Sequence, residues 1–192
     1  MKKKEKISYD NIVGIDLGGS TRMGVALINN SSGELLDYAT IRSSDSKNSL
    51  QHRFNLIEKI HEFNDKYGID ILLYESIRLF SKGHIQLQTI MSLNKVQTTI
   101  INEFSNNFPI YQIDVRSWKS RVLGHANSDK NASINYVTSK FPQVNVLDEI
   151  VKPRKKEIVL ELNHDLCDSI CIASSLKFDY SILQDKNKQN FK

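Results

Sequence analysis

The stretch that most constrains the fold is residues 11–28, where an apolar run ends in Asp16, turns through Gly18 and Gly19, and returns as Met23-Gly24-Val25-Ala26-Leu27-Ile28. Two apolar runs joined by a glycine turn predict a buried strand pair. The pair leaves one carboxylate, Asp16, at its open end. A single acid in that position is compatible with a metal ligand or with a phosphate-cradling loop. The choice rests on whether other carboxylates reach the same strand end.

Further acids do appear at comparable positions. Residues 34–41 predict a third strand after the turn Asn29-Asn30-Ser31-Ser32-Gly33, which makes an antiparallel meander. Residues 48–67 change to helical spacing, with Leu50, Phe54, Ile57 and Ile60 on one side, and Gly68 ends the helix. The nearly continuous apolar run Ile69-Asp70-Ile71-Leu72-Leu73-Tyr74 then predicts a strand covered on both faces, and it ends in Glu75. A long helix over 84–106 carries Leu87, Ile90, Met91, Val96, Ile100, Ile101 and Phe104, of which the apolar stripe Leu87, Ile90, Met91 and Ile101 is expected in the core with part of it at a dimer contact. A strand around 109–113 follows. The helix–strand alternation implies parallel strands added to the meander.

Two further helices are expected over 116–123, closed by Gly124, and from Ser128 or Asp129 to about Phe141, ended by Pro142. Residues 143–163 are the least regular. They hold a possible strand at 158–162 and the basic run Lys152-Pro153-Arg154-Lys155-Lys156, a solvated loop or a phosphate grip. The last helix, 164–177, begins His164-Asp165-Leu166-Cys167-Asp168. Acids three apart share a helix face. In a first turn they can also serve only the helix dipole.

Asp16, Glu75, Asp165 and Asp168 are the acids best poised for one shared site. Four carboxylates together repel unless a cation neutralises them, and hard oxygen donors suit magnesium or manganese. Two such ions about 4 Å apart can activate water and stabilise a leaving oxygen at a phosphodiester. The chemistry points to phosphodiester hydrolysis.

The motif Gly14-Ile15-Asp16-x-Gly18, then Tyr74-Glu75, then Asp165-x-x-Asp168 before Ser169-Ile170-Cys171-Ile172-Ala173 resembles the RuvC family of Holliday junction resolvases. The similarity runs over about residues 12–177. It implies an RNase H-like α/β fold, a mixed five-stranded sheet with helices on both faces. It also implies a homodimer that cuts four-way or other branched DNA by paired nicks, with two Mg2+ or Mn2+ ions per active site on Asp16, Glu75, Asp165 and Asp168. The segment Trp118-Lys119-Ser120-Arg121-Val122-Leu123-Gly124 and Asp129-Lys130 resembles the family's DNA-contacting region, so Lys119, Arg121 and Lys130 are expected on DNA. Leu17 stands in place of the usual proline, residues 143–163 are longer than in the bacterial enzymes, and Arg78 takes the place of an aromatic wedge, with Phe80 two further on. These departures, with the lysine- and asparagine-rich composition, look like a phage-encoded branch.

The competing readings are an actin-like or sugar-kinase ATP-binding protein, whose phosphate loop also reads Gly-Ile-Asp-Leu-Gly-Gly-Ser, and a catalytically inert junction-binding module. A chain of 192 residues is short for the second lobe that the kinases need. One nuclease domain is expected over 11–180, between a basic tail at 1–10 and a polar tail at 181–192. With 40% apolar and 25% charged residues the chain should fold, and its net charge of +4 is compatible with nucleic acid. No apolar run reaches membrane-spanning length, so a cytoplasmic protein is expected, in the bacterial host if phage-encoded. Cys167 and Cys171 are expected as reduced thiols near the core, His84 and His164 as surface or capping groups, and Trp118 as a packing residue beside Lys119.

Overall fold

The opening apolar run forms β1 (Asn11–Asp16), antiparallel to β2 (Arg22–Asn29), which pairs in turn with β3 (Glu34–Arg42). In this computed structural model the described residues are 8–18, 22–42, 49–76, 87–152 and 157–177. β4 (Ile71–Glu75) lies parallel to β1, and β5 (Ile110–Ile113) parallel to β4, giving the order β3-β2-β1-β4-β5. Parallel neighbours end at the same edge of a sheet. The register sets Ile15 beside Tyr74, so Asp16 and Glu75 leave the sheet side by side.

The alternation of side chains along a strand divides the core in two. Val13, Ile15, Val25 and Leu72 face α1 (Ser49–Tyr67) and α2 (Leu87–Phe104). Ile12, Ala26, Ile71 and Leu73 face α3 (Val115–Leu123), α4 (Lys130–Lys140) and α5 (His164–Ser174), which a 3-10 turn, Ser175–Lys177, extends. Asp16 and Glu75 continue the second series, on the α5 side.

Helix α1 is turned differently from its expected stripe. Leu50 and Phe54 are each 52% exposed, and His52, Leu56, Ile60 and Phe63 are buried instead. The two series share Ile60, and the one that reaches Phe63 buries more apolar surface, about 1.5–3 kcal/mol for each large side chain. His52 tolerates burial because its Nε2 bonds the Ile41 carbonyl at 2.8 Å. On α2 the core residues are Val96, Ile100 and Phe104, whereas of the expected stripe Met91 is 50% exposed and Ile90 and Ile101 are only half-buried.

Several boundaries follow from caps. Asp114 and Asp129 accept backbone N–H groups at the starts of α3 and α4, and Gly124 closes α3 in the left-handed region at φ 79°. Gly68 ends α1 at φ 72°. The irregular region contains β6 (Leu147–Lys152), a strand not expected from the sequence, antiparallel to β7 (Glu157–Leu162) in a separate two-stranded sheet. Among the described residues, no helix is long and apolar enough to cross a membrane.

The central helix α5 lies directly on the sheet. A Cβ on Gly14 would meet Ser169 O at 2.3 Å and Ala173 N at 2.4 Å, and one on Gly24 would meet Asp165 O at 2.0 Å. Only hydrogen fits at either position. Ser169, Ser174 and Ser175 are buried there too, each hydroxyl bonding a backbone carbonyl at 2.7–2.8 Å, so this contact leaves them no unmet donor.

Candidate active site

Asp16 is fixed by the turn that follows it. Its Oδ1 accepts the Gly18 N–H at 2.9 Å, and Gly18 holds φ 56°, where a Cβ would stand 1.9 Å from Arg22 O. This glycine is needed both for its dihedral and for its lack of a side chain. The Asp16 carboxyl is pushed well above the ordinary carboxylate range, first by burial, then by Glu75, Asp168 and Asp165, with the Gly18 N–H pulling the other way. Acids from three distant segments thus act on one another electrostatically.

Helix α5 contributes two of them. Asn163 caps it, accepting the Leu166 N–H at 3.1 Å and donating to Thr40 Oγ1 at 2.7 Å, which ties the helix start to β3. Gly24, paired with Asp16, removes the bulk that would otherwise separate β2 from Asp165. Asp168 is also raised, chiefly by burial and further by Asp165, against a hydrogen bond from Ser133 and the charges of Lys119 and His164. Asp165 bonds Arg22 Nε. Arg22 Nη1 reaches Asp148 on β6 at 3.3 Å, and Arg42 pairs with the same Asp148.

Glu75 has a partner that sequence reasoning missed. The fully buried Trp118 donates its indole N–H to Glu75 Oε2 at 2.9 Å, while Lys119 Nζ lies 5.5 Å from the ring centroid. Trp118 therefore both packs, as expected, and orients a carboxylate. The available signal was the only tryptophan of the chain beside a predicted strand-end acid, because a buried indole N–H needs an acceptor.

Among the described residues, no three His, Cys, Asp or Glu side chains converge in metal-ligating geometry. Asp165 turns to Arg22 and Glu75 to Trp118. The donor set nevertheless fits a hard divalent cation, since all four groups are carboxylates and Glu75, Asp168 and Asp165 each add to the upward push that burial gives Asp16. Cys167 and Cys171 are free, buried thiols; burial and Asp168 push Cys167 up to about 12, which leaves it protonated and poor as a ligand.

The expected DNA-contacting residues lie on α3 and α4. Lys119 bonds the Ser128 carbonyl at 3.1 Å, Arg121 is half-buried in the last turn of α3, and Lys130 is exposed at the start of α4. His164 Nδ1 donates to the Lys130 carbonyl at 3.0 Å, which links α4 to the start of α5. Arg78, Phe80, His84, Arg154, Lys155 and Lys156 lie outside the described residues.

No protein-family model matches the chain, and no curated protein matches it. Solved structures do. The chain is similar to Thermus thermophilus RuvC, with 16% identity, TM-score 0.58, and 86% of this chain and 92% of that one covered. It is also similar to T. thermophilus RuvC in complex with a Holliday junction substrate, with 16% identity, TM-score 0.61, and 86% and 91% covered. The yeast mitochondrial Holliday junction resolvase Ydc2 matches at 12% identity and TM-score 0.48, over 90% of this chain and 80% of that one. The fold is RNase H-like α/β, a mixed five-stranded sheet with helices on both faces.

Proposed function

We propose that this chain is a divalent-metal-dependent endonuclease that cuts branched DNA, four-way junctions above all, by paired nicks as a homodimer. The observation that carries the reading is the backbone geometry that ends β1 at Asp16 and its parallel neighbour β4 at Glu75, with Gly24, opposite Asp16, packed against Asp165 of α5. The fold shared with RuvC supports it.

In this mechanism Asp16, Glu75, Asp165 and Asp168 would hold two Mg2+ or Mn2+ ions, whose chemistry when bound would be activation of a water and stabilisation of the leaving oxygen of the scissile phosphodiester. The chain's own groups set the geometry. The Gly18 N–H holds Oδ1 of Asp16, and the Trp118 indole N–H holds Oε2 of Glu75. Lys119, whose charge already acts on Asp168, is positioned to meet phosphate beside the acids. Lys130 and Arg121 extend the cationic surface along α4 and α3.

The segment directly after Glu75 carries Arg78 and Phe80, which we assign to the junction core, Phe80 as the wedge and Arg78 as the charge. Sequence preference is then relaxed and follows the ease with which DNA deforms. Two symmetric nicks need two active sites on opposite strands, which a twofold dimer provides, with α2 near the interface. The departures from the bacterial pattern at Leu17 and Arg78 place the protein in our reading with a phage-type branch acting in the cytoplasm of a bacterial host.

The test is a labelled four-way junction incubated with the protein and magnesium. Symmetric nicks that vanish with Asp16→Asn are expected. ATP binding without cleavage would favour a kinase-like protein, and junction binding without metal-dependent cleavage an inert module; either result refutes the proposal.

A further inference from the structure

Sharing Asp165 with the four acids, a second charged cluster among the described residues joins Arg22, Arg42, Asp148 and Asp165. It joins four elements. Arg22 opens β2, Arg42 closes β3, Asp148 sits on β6 and Asp165 on α5. Asp148 is buried, with its side chain only 6% exposed, and its two oxygens take one guanidinium each. Arg42 also donates to the Glu149 carbonyl at 3.1 Å, so the same guanidinium grips the β6 backbone. Among the described residues the β6–β7 hairpin otherwise packs chiefly on itself, and this cluster ties it to β2, β3 and α5.

The order of bonds is Arg42 to Asp148 to Arg22 to Asp165. Arg42 holds Asp148, Asp148 orients Arg22, and Arg22 holds Asp165. Arg22 projects from the strand face that carries Gly24, towards α5, and its Nε takes Asp165 Oδ2, leaving Oδ1 uncommitted to this arginine. A ligating carboxylate normally shares one oxygen with an outer partner that fixes its rotamer, and loss of such a partner commonly costs about 10–100-fold in metal affinity. Resting on the nuclease reading above, we propose that Arg22 is a positioning residue that presents Asp165 to the divalent cation, and that Asp148 on the hairpin positions Arg22 in turn. The β6–β7 hairpin thereby becomes part of the cation site although it supplies no ligand.

The alternative role for a guanidinium there is competitor. An arginine that merely neutralises Asp165 would have to give it up to the cation, and its removal would tighten binding. The two roles predict opposite signs.

The experiment titrates Mn2+ into the full chain, following free Mn2+ by electron paramagnetic resonance and Trp118 fluorescence as a local reporter of Glu75. Wild type, Asp16→Asn, Arg22→Met, Arg22→Lys and Asp148→Asn are compared, with circular dichroism melts alongside. We expect Arg22→Met to weaken Mn2+ binding about 10-fold or more, Asp148→Asn to weaken it less but in the same direction, and Arg22→Lys to recover part of the loss. A purely structural role would lower the melting temperature and leave the affinity of the folded fraction unchanged. Unchanged or tighter Mn2+ binding in folded Arg22→Met, or in folded Asp148→Asn if the first variant does not fold, overturns the inference while wild type binds and Asp16→Asn does not. Failure of wild type to bind, or equal binding by Asp16→Asn, overturns the cation site itself and this inference with it.

Discussion

Gly24→Ala tests the packing that brings the acids together. Gly24 sits opposite Asp16 on the neighbouring strand and beneath Asp165 on the helix. An added Cβ would stand 2.0 Å from Asp165 O and 2.4 Å from its carbonyl carbon, where ordinary contact begins at 3.4 Å. Both atoms are backbone, so no side chain can swing aside, and the start of α5 must retreat by about 1.4 Å. Overpacking of this kind costs about 1–3 kcal/mol, which lowers the melting temperature by roughly 2–12 °C in a domain of this size. The effect on cleavage should be larger, because a displacement of about 1 Å at a reacting centre can cost about 100-fold in rate. The assay is single-turnover cleavage of a four-way junction in magnesium, at a temperature where circular dichroism shows the variant folded. Gly68→Ala is the control, since nothing lies within 4 Å of its Cβ position and φ 72° alone strains it; it should lose stability and keep its rate. Wild-type cleavage by folded Gly24→Ala would refute the idea that this contact sets the acid geometry.

In EDTA, Asp16→Asn should stabilise the protein near neutral pH: the folded carboxyl is raised above its unfolded value, so its contribution is present below about pH 4 and lost as pH climbs through the folded value. Thermal melts across that range should decline for wild type and flatten for the variant, with cleavage reduced at least about 100-fold. Trp118→Phe keeps most of the packing and removes the donor to Glu75, so cation affinity should fall about 10-fold with a stability loss of about 1 kcal/mol, read by Mn2+ titration and melts. Lys130→Ala should weaken junction binding and lower the slope of log affinity against log salt by about 0.9, with no change in cut-site preference.

Much of this arrangement was legible in the sequence because it rests on local rules. Strand ends at Asp16 and Glu75 follow from apolar runs, and the stops at Gly68 and Gly124 from left-handed caps. Asp16 and Glu75 share a sheet edge because β1 and β4 are parallel neighbours, a pairing that the helix–strand alternation foreshadowed only as parallel additions to the meander. The rotation of α1 was not legible, because Leu50 and Phe54 satisfy helical periodicity as well as Leu56 and Phe63 do, and only the shape of the sheet face chooses between them. β6 was hidden because Leu147-Asp148-Glu149-Ile150 lacks clean alternation. Its hidden acid, Asp148, is buried by arginines from β2 and β3, a contact no local pattern encodes. Trp118 was read for its bulk and not for its donor.

The site draws on β1, near one end of the sequence order, and on α5, the last helix among the described residues. Asp16 and Glu75 lack Asp165 and Asp168 until α5 has been synthesised and has seated itself on Gly14 and Gly24. A nascent chain on the ribosome, or a product of proteolysis that lacks α5, holds at most Asp16 and Glu75, too little charge to recruit two ions. Contacts between such distant segments form late in folding. The cutting activity proposed here would therefore stay silent throughout synthesis and switch on only once α5 is in place.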